Sequence, residues 1–309
     1  MIADEAGHTH RYPPEVDLTR FAWLSICAAV VTITVKGIGA WITGSVGLLS
    51  DAAESVVNLI AAIVALFALR VAAQPPDDNH PYGHSKAEYF SAAVEGLMIF
   101  VAAAVIVYTA IERLFNPKPL EQLGLGLALA MGGSVINGAV AFILLRQGRK
   151  HNSATLVADG KHLVTDVITS VAVLVGVALV TITGIQRLDP VVALLAGVNI
   201  LWTGFNLVRN SVNGLMDMAI PAKDVATLNE VLAGYTSDSV SFHALRTRMA
   251  GNRYFASFHV LVPGNWTVKR GHDLTEDIID AIVARLPSLR VDAHLEPRDD
   301  PRSYEDIEI

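Results

Sequence analysis

The sequence predicts an α-helical membrane protein: six transmembrane helices, then a C-terminal cytoplasmic α+β domain in α-β-β-α-β order, ferredoxin-like. Three observations predict it. Of 309 residues, 52% are hydrophobic and only 17% charged, where a soluble domain carries about 25% charged. Mean hydropathy is +0.44. Apolar runs near the roughly 20 residues that a bilayer core requires recur until Asn210, after which charge becomes dense and no further run appears.

The six runs span Arg20–Ile42, Val46–Arg70, Ser91–Phe115, Gly124–Leu145, Val157–Thr183 and Pro190–Val208. The chain then divides into an N-terminal tail (1–18), a transmembrane domain (19–209), a cytoplasmic domain (210–297) and an acidic C-terminal tail (298–309), the last read as frayed. One set of flanks holds Arg11, Arg20, Arg70, Lys86, Arg146, Arg149, Lys150 and Arg209; the other holds Arg113, Lys118 and Arg187. The richer set is the cytoplasmic one, which predicts both termini in the cytoplasm. The polar start MIADEAGHTHRYPPEVDLTR predicts no cleavable signal peptide. In the cytoplasmic part, helix (Ala222–Tyr235), strand (Val240–Met249), strand (Tyr254–Val262), helix (Val268–Leu286) and strand (Arg290–Glu296) follow from 3.6- and 2-residue periodicity, with Gly251-Asn252 as the tight turn.

A net charge of −7 argues against a nucleic-acid partner. The single cysteine, Cys27, excludes a disulfide framework or a Cys-rich metal site. What remains is chemistry by carboxylates and histidines. The second run carries Asp51, Glu54 and Asn58; the fifth carries Asp159, His162 and Asp166 at the same i, i+3, i+7 spacing. Each triplet falls on one helix face, and ionisable groups at membrane depth are costly and functional. Glu54, Asn58, His162 and Asp166 offer three oxygens and one imidazole nitrogen, a suitable shell for a divalent first-row metal. Lys36, Glu95 and Asn137 are read as pairing or cavity-lining groups. The connection QPPDDNHPYGHSKAEYF places Asp77, His80 and His84 within eight residues, a spacing that suits a second metal site. His243, His259, His272, His294 and Glu296 lie in the cytoplasmic part, where spacing alone leaves their convergence open.

TGSVGLLSDAAESVVN, DDNHPYGHSKAE, ADGKHLVTD, LMDMAIP, FHALRTRMAGNRYFASFHV and VDAHLEP closely resemble the cation diffusion facilitator family of metal exporters, from about Phe21 to Pro297. The resemblance implies a homodimeric, proton-coupled exporter of divalent transition metals (Zn, Fe or Mn), with Glu54, Asn58, His162 and Asp166 as the transport site. The family usually has His or Asp at the first of these positions and Asp at the second. Glu54 and Asn58 depart from that pattern. The oxygen-rich shell shifts the odds toward Mn²⁺ or Fe²⁺ without excluding Zn²⁺, and Asp51 is a further carboxylate for a displaced site. By the same likeness, Asp77, His80 and His84 form a loop site, and the five cytoplasmic residues form a tail site where two ions can sit at the subunit interface. Lys86 and Asp217 match a family ion pair that clamps the loop to the end of the sixth helix. An enzyme is not expected: an intramembrane metallopeptidase needs a His-Glu-x-x-His helix, which is absent from the sequence. The competing expectation is a membrane-anchored metal sensor or buffer without coupled transport.

Overall fold

The computed structural model describes residues 16–43, 46–116 and 125–307, with backbone only at 39–40, 42–43, 46–54, 125–127, 130 and 306–307. Two compact units divide between Asn213 and Gly214. The first is all helix: α1 (Thr19–Thr43), α2 (Val46–Ala72), α3 (Ala87–Phe115), α4 (Leu125–Lys150), α5 (Ala154–Thr183) and α6 (Leu188–Leu215). Among the described residues, five of these (α1, α2, α3, α5 and α6) are long and apolar enough to cross a membrane. The remaining helix, α4, packs against α1 and α5. Large apolar side chains such as Phe67, Tyr108, Phe142, Leu195 and Trp202 face outward, as they do where the surrounding solvent is lipid.

Small residues bring the helices into register. A Cβ on Gly160 of α5 would lie 2.8 Å from Leu145 of α4, and one on Gly204 of α6 would lie 2.7 Å from the Phe100 amide of α3. Close backbone approach of this kind is how helices associate without a hydrophobic drive between them. The α4–α5 connection is short: Asn152 takes φ 52°. Ser153 then caps α5, its Oγ accepting from Leu156 N at 3.3 Å. The α3 and α5 helices begin earlier than the apolar runs that announce them, because their first turns hold polar residues that hydrogen-bond each other.

The second unit contains α7 (Ala222–Tyr235), β1 (Ser241–Ala250), β2 (Arg253–Val262), α8 (Val268–Arg285), β3 (Leu289–Pro297) and a 3-10 helix (Pro301–Ile307). The sheet order is β1-β2-β3, antiparallel then parallel, α8 lying between the parallel strands in sequence. Alternate residues of β2 (Ala256, Phe258, Val260) pack under Leu228 and Val231 of α7 and Ile278 and Ile282 of α8 to form the core. The opposite sheet face is left for polar side chains. The stretch expected to fray is instead ordered through residue 307: Ser303 is buried and its Oγ donates to Pro297 O at 2.8 Å.

Candidate functional site

The polar stripes of α2 and α5 meet. Asn58 and His162 are buried at 7% exposure each. His162 Nε2 lies 2.8 Å from Asn58 Oδ1, and Asn58 Nδ2 donates to Asp166 Oδ2 at 2.5 Å. The amide joins the two α5 side chains because it offers its carbonyl oxygen to His162 and its N–H to Asp166. Asn137 from α4 also donates to Asp166 Oδ2, at 3.4 Å, and the Lys36 ammonium on α1 acts on Asp166 through space. His162 and Asp166 are one turn apart on one face, as i and i+4 residues must be. The side chains of Asp51 and Glu54, on the same helix as Asn58, lie outside the described residues.

A contact that the sequence reading missed positions α5. Glu88, buried in the first turn of α3, accepts from Thr155 N at 3.2 Å and from the Ser153 hydroxyl. A carboxylate from one helix therefore satisfies the amino end of another, where the helix dipole favours negative charge. The signal was present in GHSKAE, an acid directly after a turn, but its partner lies 65 residues away.

In the connection after α2, Asp77 gathers both histidines. His80 Nδ1 is 3.2 Å from Asp77 Oδ1, and His84 Nε2 is 3.3 Å from Asp77 Oδ2. The imidazole centroids are 4.4 Å apart, and one ligand atom from each residue falls within 4.8 Å of the others. Hydrogen bonds from the His80 backbone amide, and then from Asn79, hold the Asp77 carboxyl below its ordinary 3.8. Coordination needs ionised carboxylate and neutral imidazole. We expect His80→Ala to bind zinc at this loop more weakly than the wild type, by about tenfold or more, read by paired metal titrations.

The third cluster follows from strand register. His243 pairs with His259, and His259 with His294, so three imidazoles stand in a row across β1, β2 and β3. A bulge between His243 and Arg246, with Ala244 at φ 52°, ends that alignment on β1. Glu296, two residues past His294 on the same face, is buried at 6%. Its Oε2 lies 3.0 Å from His243 Nε2 and 3.2 Å from His259 Nδ1; its Oε1 lies 3.2 Å from His294 Nδ1. The Tyr304 ring lies over His243, with centroids 5.6 Å apart. His272 stands elsewhere, exposed on α8 and 4.0 Å from Glu276. Lys86 is the N-cap residue of α3, and Asp217 accepts from Arg248 at 3.2 Å within its own unit.

Residues 22–216 match the cation efflux transmembrane domain, and residues 220–298 match the cation efflux protein cytoplasmic domain. The chain belongs to the cation efflux, or cation diffusion facilitator, family. It is a metal efflux transporter of the membrane and not an enzyme. It is 54% identical to the uncharacterized transporter sll1263 of Synechocystis sp., covering 92% of both chains. Against the cation-efflux pump FieF of Cronobacter sakazakii it is 28% identical, covering 91% of this chain and 93% of that one. The metal-bound C-terminal domain of the CzcD transporter from Thermotoga maritima matches 26% of this chain and 92% of its own, at 27% identity and a TM-score of 0.24. In this cation diffusion facilitator, the two matched domains contain different clusters: Asn58, His162 and Asp166 with the loop triad in one, the histidine row in the other.

Proposed function

We propose that the chain is a homodimeric exporter that exchanges a divalent transition metal (Zn²⁺, Fe²⁺ or Mn²⁺) for protons across the cell membrane, both termini lying in the cytoplasm. The hydrogen-bonded chain His162–Asn58–Asp166 between α2 and α5 carries this reading. It is a buried polar constellation on two helices of the membrane unit, built of metal-ligating atoms. Glu54 completes the shell from the turn before Asn58, and Asp51 adds a carboxylate from one turn further. A metal replaces the internal hydrogen bonds: Nε2 of His162 gives up its proton or passes it to Nδ1, and Asn58 turns its carbonyl oxygen to the ion. Protons and metal compete for the same atoms. Rocking of the helix bundle about this fixed point exposes it to each side in turn.

Asp77, His80 and His84 take up metal at the cytoplasmic surface. His243, His259, His294 and Glu296 hold metal in the cytoplasmic domain. His272, remote from that row in its own subunit, is supplied across the dimer interface. Purified protein in vesicles, offered a panel of divalent metals with and without a pH gradient, tests the reading. Uptake into inside-out vesicles rises when the lumen is acidic; indifference to the gradient rejects proton exchange.

The competing expectation, a membrane-anchored metal buffer without transport, does not fit a member of a family of efflux transporters. Glu296→Gln removes the carboxylate that bridges three imidazoles and lowers zinc binding to the cytoplasmic domain by more than about tenfold, the scale that lost metal-site partners reach, while vesicle flux stays measurable.

A further inference from the structure

The histidine row divides into an inner and an outer position. Glu296 Oε2 faces His243 and His259, while Oε1 faces His294. The side chains of His243, His259 and Glu296 are 14%, 17% and 7% exposed, whereas His294 is 68% exposed. The first three also form the group whose ligand atoms all lie within 4.8 Å of one another. An ion among them is shielded from water; an ion beside His294 is open to it.

Part of that shield comes from the end of the chain. The 3-10 helix Pro301–Ile307 lies past residue 298, where the match to the cytoplasmic domain ends. Its root is fixed to the sheet. Arg298 N donates to Val262 O at 2.8 Å, and the Arg298 guanidinium donates to Asp238 O and, at 3.4 Å, to Ser241 Oγ at the entry to β1. Asp299 Oδ1 accepts from Gly264 N at 3.0 Å. Beyond this root, two side-chain hydrogen bonds fold the helix back: Ser303 Oγ donates to Pro297 O at 2.8 Å, and the Tyr304 hydroxyl donates to Arg298 O at 3.1 Å. The second bond orients the phenol. Its hydroxyl is engaged with the backbone, and its ring lies against the His243 imidazole, with centroids 5.6 Å apart and planes tilted by 43°. The ring covers a ligand, and the hydroxyl holds the ring in place.

The Arg302–Asp300 ion pair is internal to the segment and does not tie it to the sheet. A short terminal segment held by so few bonds opens locally without unfolding the domain beneath it. We propose that the 3-10 helix is a lid over the inner metal position, with Tyr304 as its closing residue. It makes the ion held by His243, His259 and Glu296 slow to exchange, while the position at His294 exchanges freely. This rests on the reading of the histidine row as a metal site and adds a control of its kinetics. Tyr304 directs no ligand atom at the ion, so the lid acts on the path and not on the coordination bonds. Closure that does not discriminate between the loaded and the empty site leaves the equilibrium affinity in place. Entry and exit are slowed by the same factor.

The test uses full-length protein and Zn²⁺. Release is followed in an excess of a chromophoric chelator and uptake by rapid mixing, and the phases belonging to the row are those that Glu296→Gln removes. In the wild type one of these phases is slow. Tyr304→Ala accelerates it in both directions by about tenfold, since a hydrogen bond and an aromatic contact are each worth about a factor of five. Tyr304→Phe keeps the ring, loses the bond to Arg298 O and falls between the two. Equilibrium zinc affinity equal to that of the wild type shows that the row is intact in both variants. Faster release with unchanged uptake, and therefore weaker affinity, would make Tyr304 a residue that only positions His243, and the lid would be wrong. Wild-type rates in Tyr304→Ala overturn it as well. If Glu296→Gln removes no phase, the row binds no zinc, and the site and its lid fall together.

Discussion

Asp166→Ala reduces metal efflux from vesicles by more than about 100-fold, since even partners outside the ligand shell of a metal cost 10- to 100-fold when removed. Asp166 is the carboxylate on which this site converges: Asn58 and Asn137 both donate to its Oδ2. Its loss leaves two buried amide donors unpaired, at about 1–3 kcal/mol each, so the variant also melts earlier. Asp166→Asn separates the effects, because it keeps the volume and much of the hydrogen bonding while removing the charge. Both variants lose transport, and both retain zinc binding at the histidine row of the cytoplasmic domain. Flux that survives in Asp166→Asn would show that the carboxylate is packing and not a ligand.

Asn58→Asp changes which metal is carried. Asn58 donates to Asp166 at 2.5 Å and pairs with His162 at 2.8 Å, so a neutral amide links the two α5 side chains without adding charge. An aspartate there cannot donate to Asp166 and sets two carboxylates against each other. At 4 Å and an effective dielectric of 20, one charge pair is worth about 4 kcal/mol. Attraction to a 2+ ion is about twice that, so it exceeds the single repulsion from Asp166. The variant therefore binds metal more tightly, by at least about tenfold or 1.4 kcal/mol, while its metal-free form is less stable. Zn²⁺ gains more than Mn²⁺, because the added carboxylate restores the compact, charged tetrahedral shell that zinc takes. Competition assays with both metals check the rank order; an unchanged order would remove Asn58 from the selectivity determinants.

Much of this was legible in the sequence, for identifiable reasons. Ionisable residues within apolar runs stand out because lipid tolerates them poorly, and helix geometry alone places His162 and Asp166 on one face. The α-β-β-α-β order came from alternation in FASFHV and the Gly251-Asn252 turn, and Phe258 and Val260 do point into the core. The histidine row was not legible, because strand register depends on pairing and not on spacing along the chain. His243, His259 and His294 align only once β1, β2 and β3 are paired, and His272 has the same composition yet stands apart. The Ser153–Glu88 contact and the cover that Tyr304 gives His243 join residues 65 and 61 positions apart. No local pattern encodes such distances. The charges of the 3-10 helix outweigh its one aromatic and read as a frayed tail, whereas its buried Ser303 is anchored by a hydrogen bond to Pro297 O.

Anomalous scattering from full-length protein loaded with Zn²⁺ or Mn²⁺, at wavelengths on either side of the metal edge, tests the transport site most directly. The account predicts a peak between α2 and α5 about 2.0–2.2 Å from ligand atoms of His162 and Asp166, with the Asn58–Asp166 hydrogen bond broken. Metal confined to the loop and the cytoplasmic histidines, with His162, Asn58 and Asp166 still bonded to one another, would contradict it.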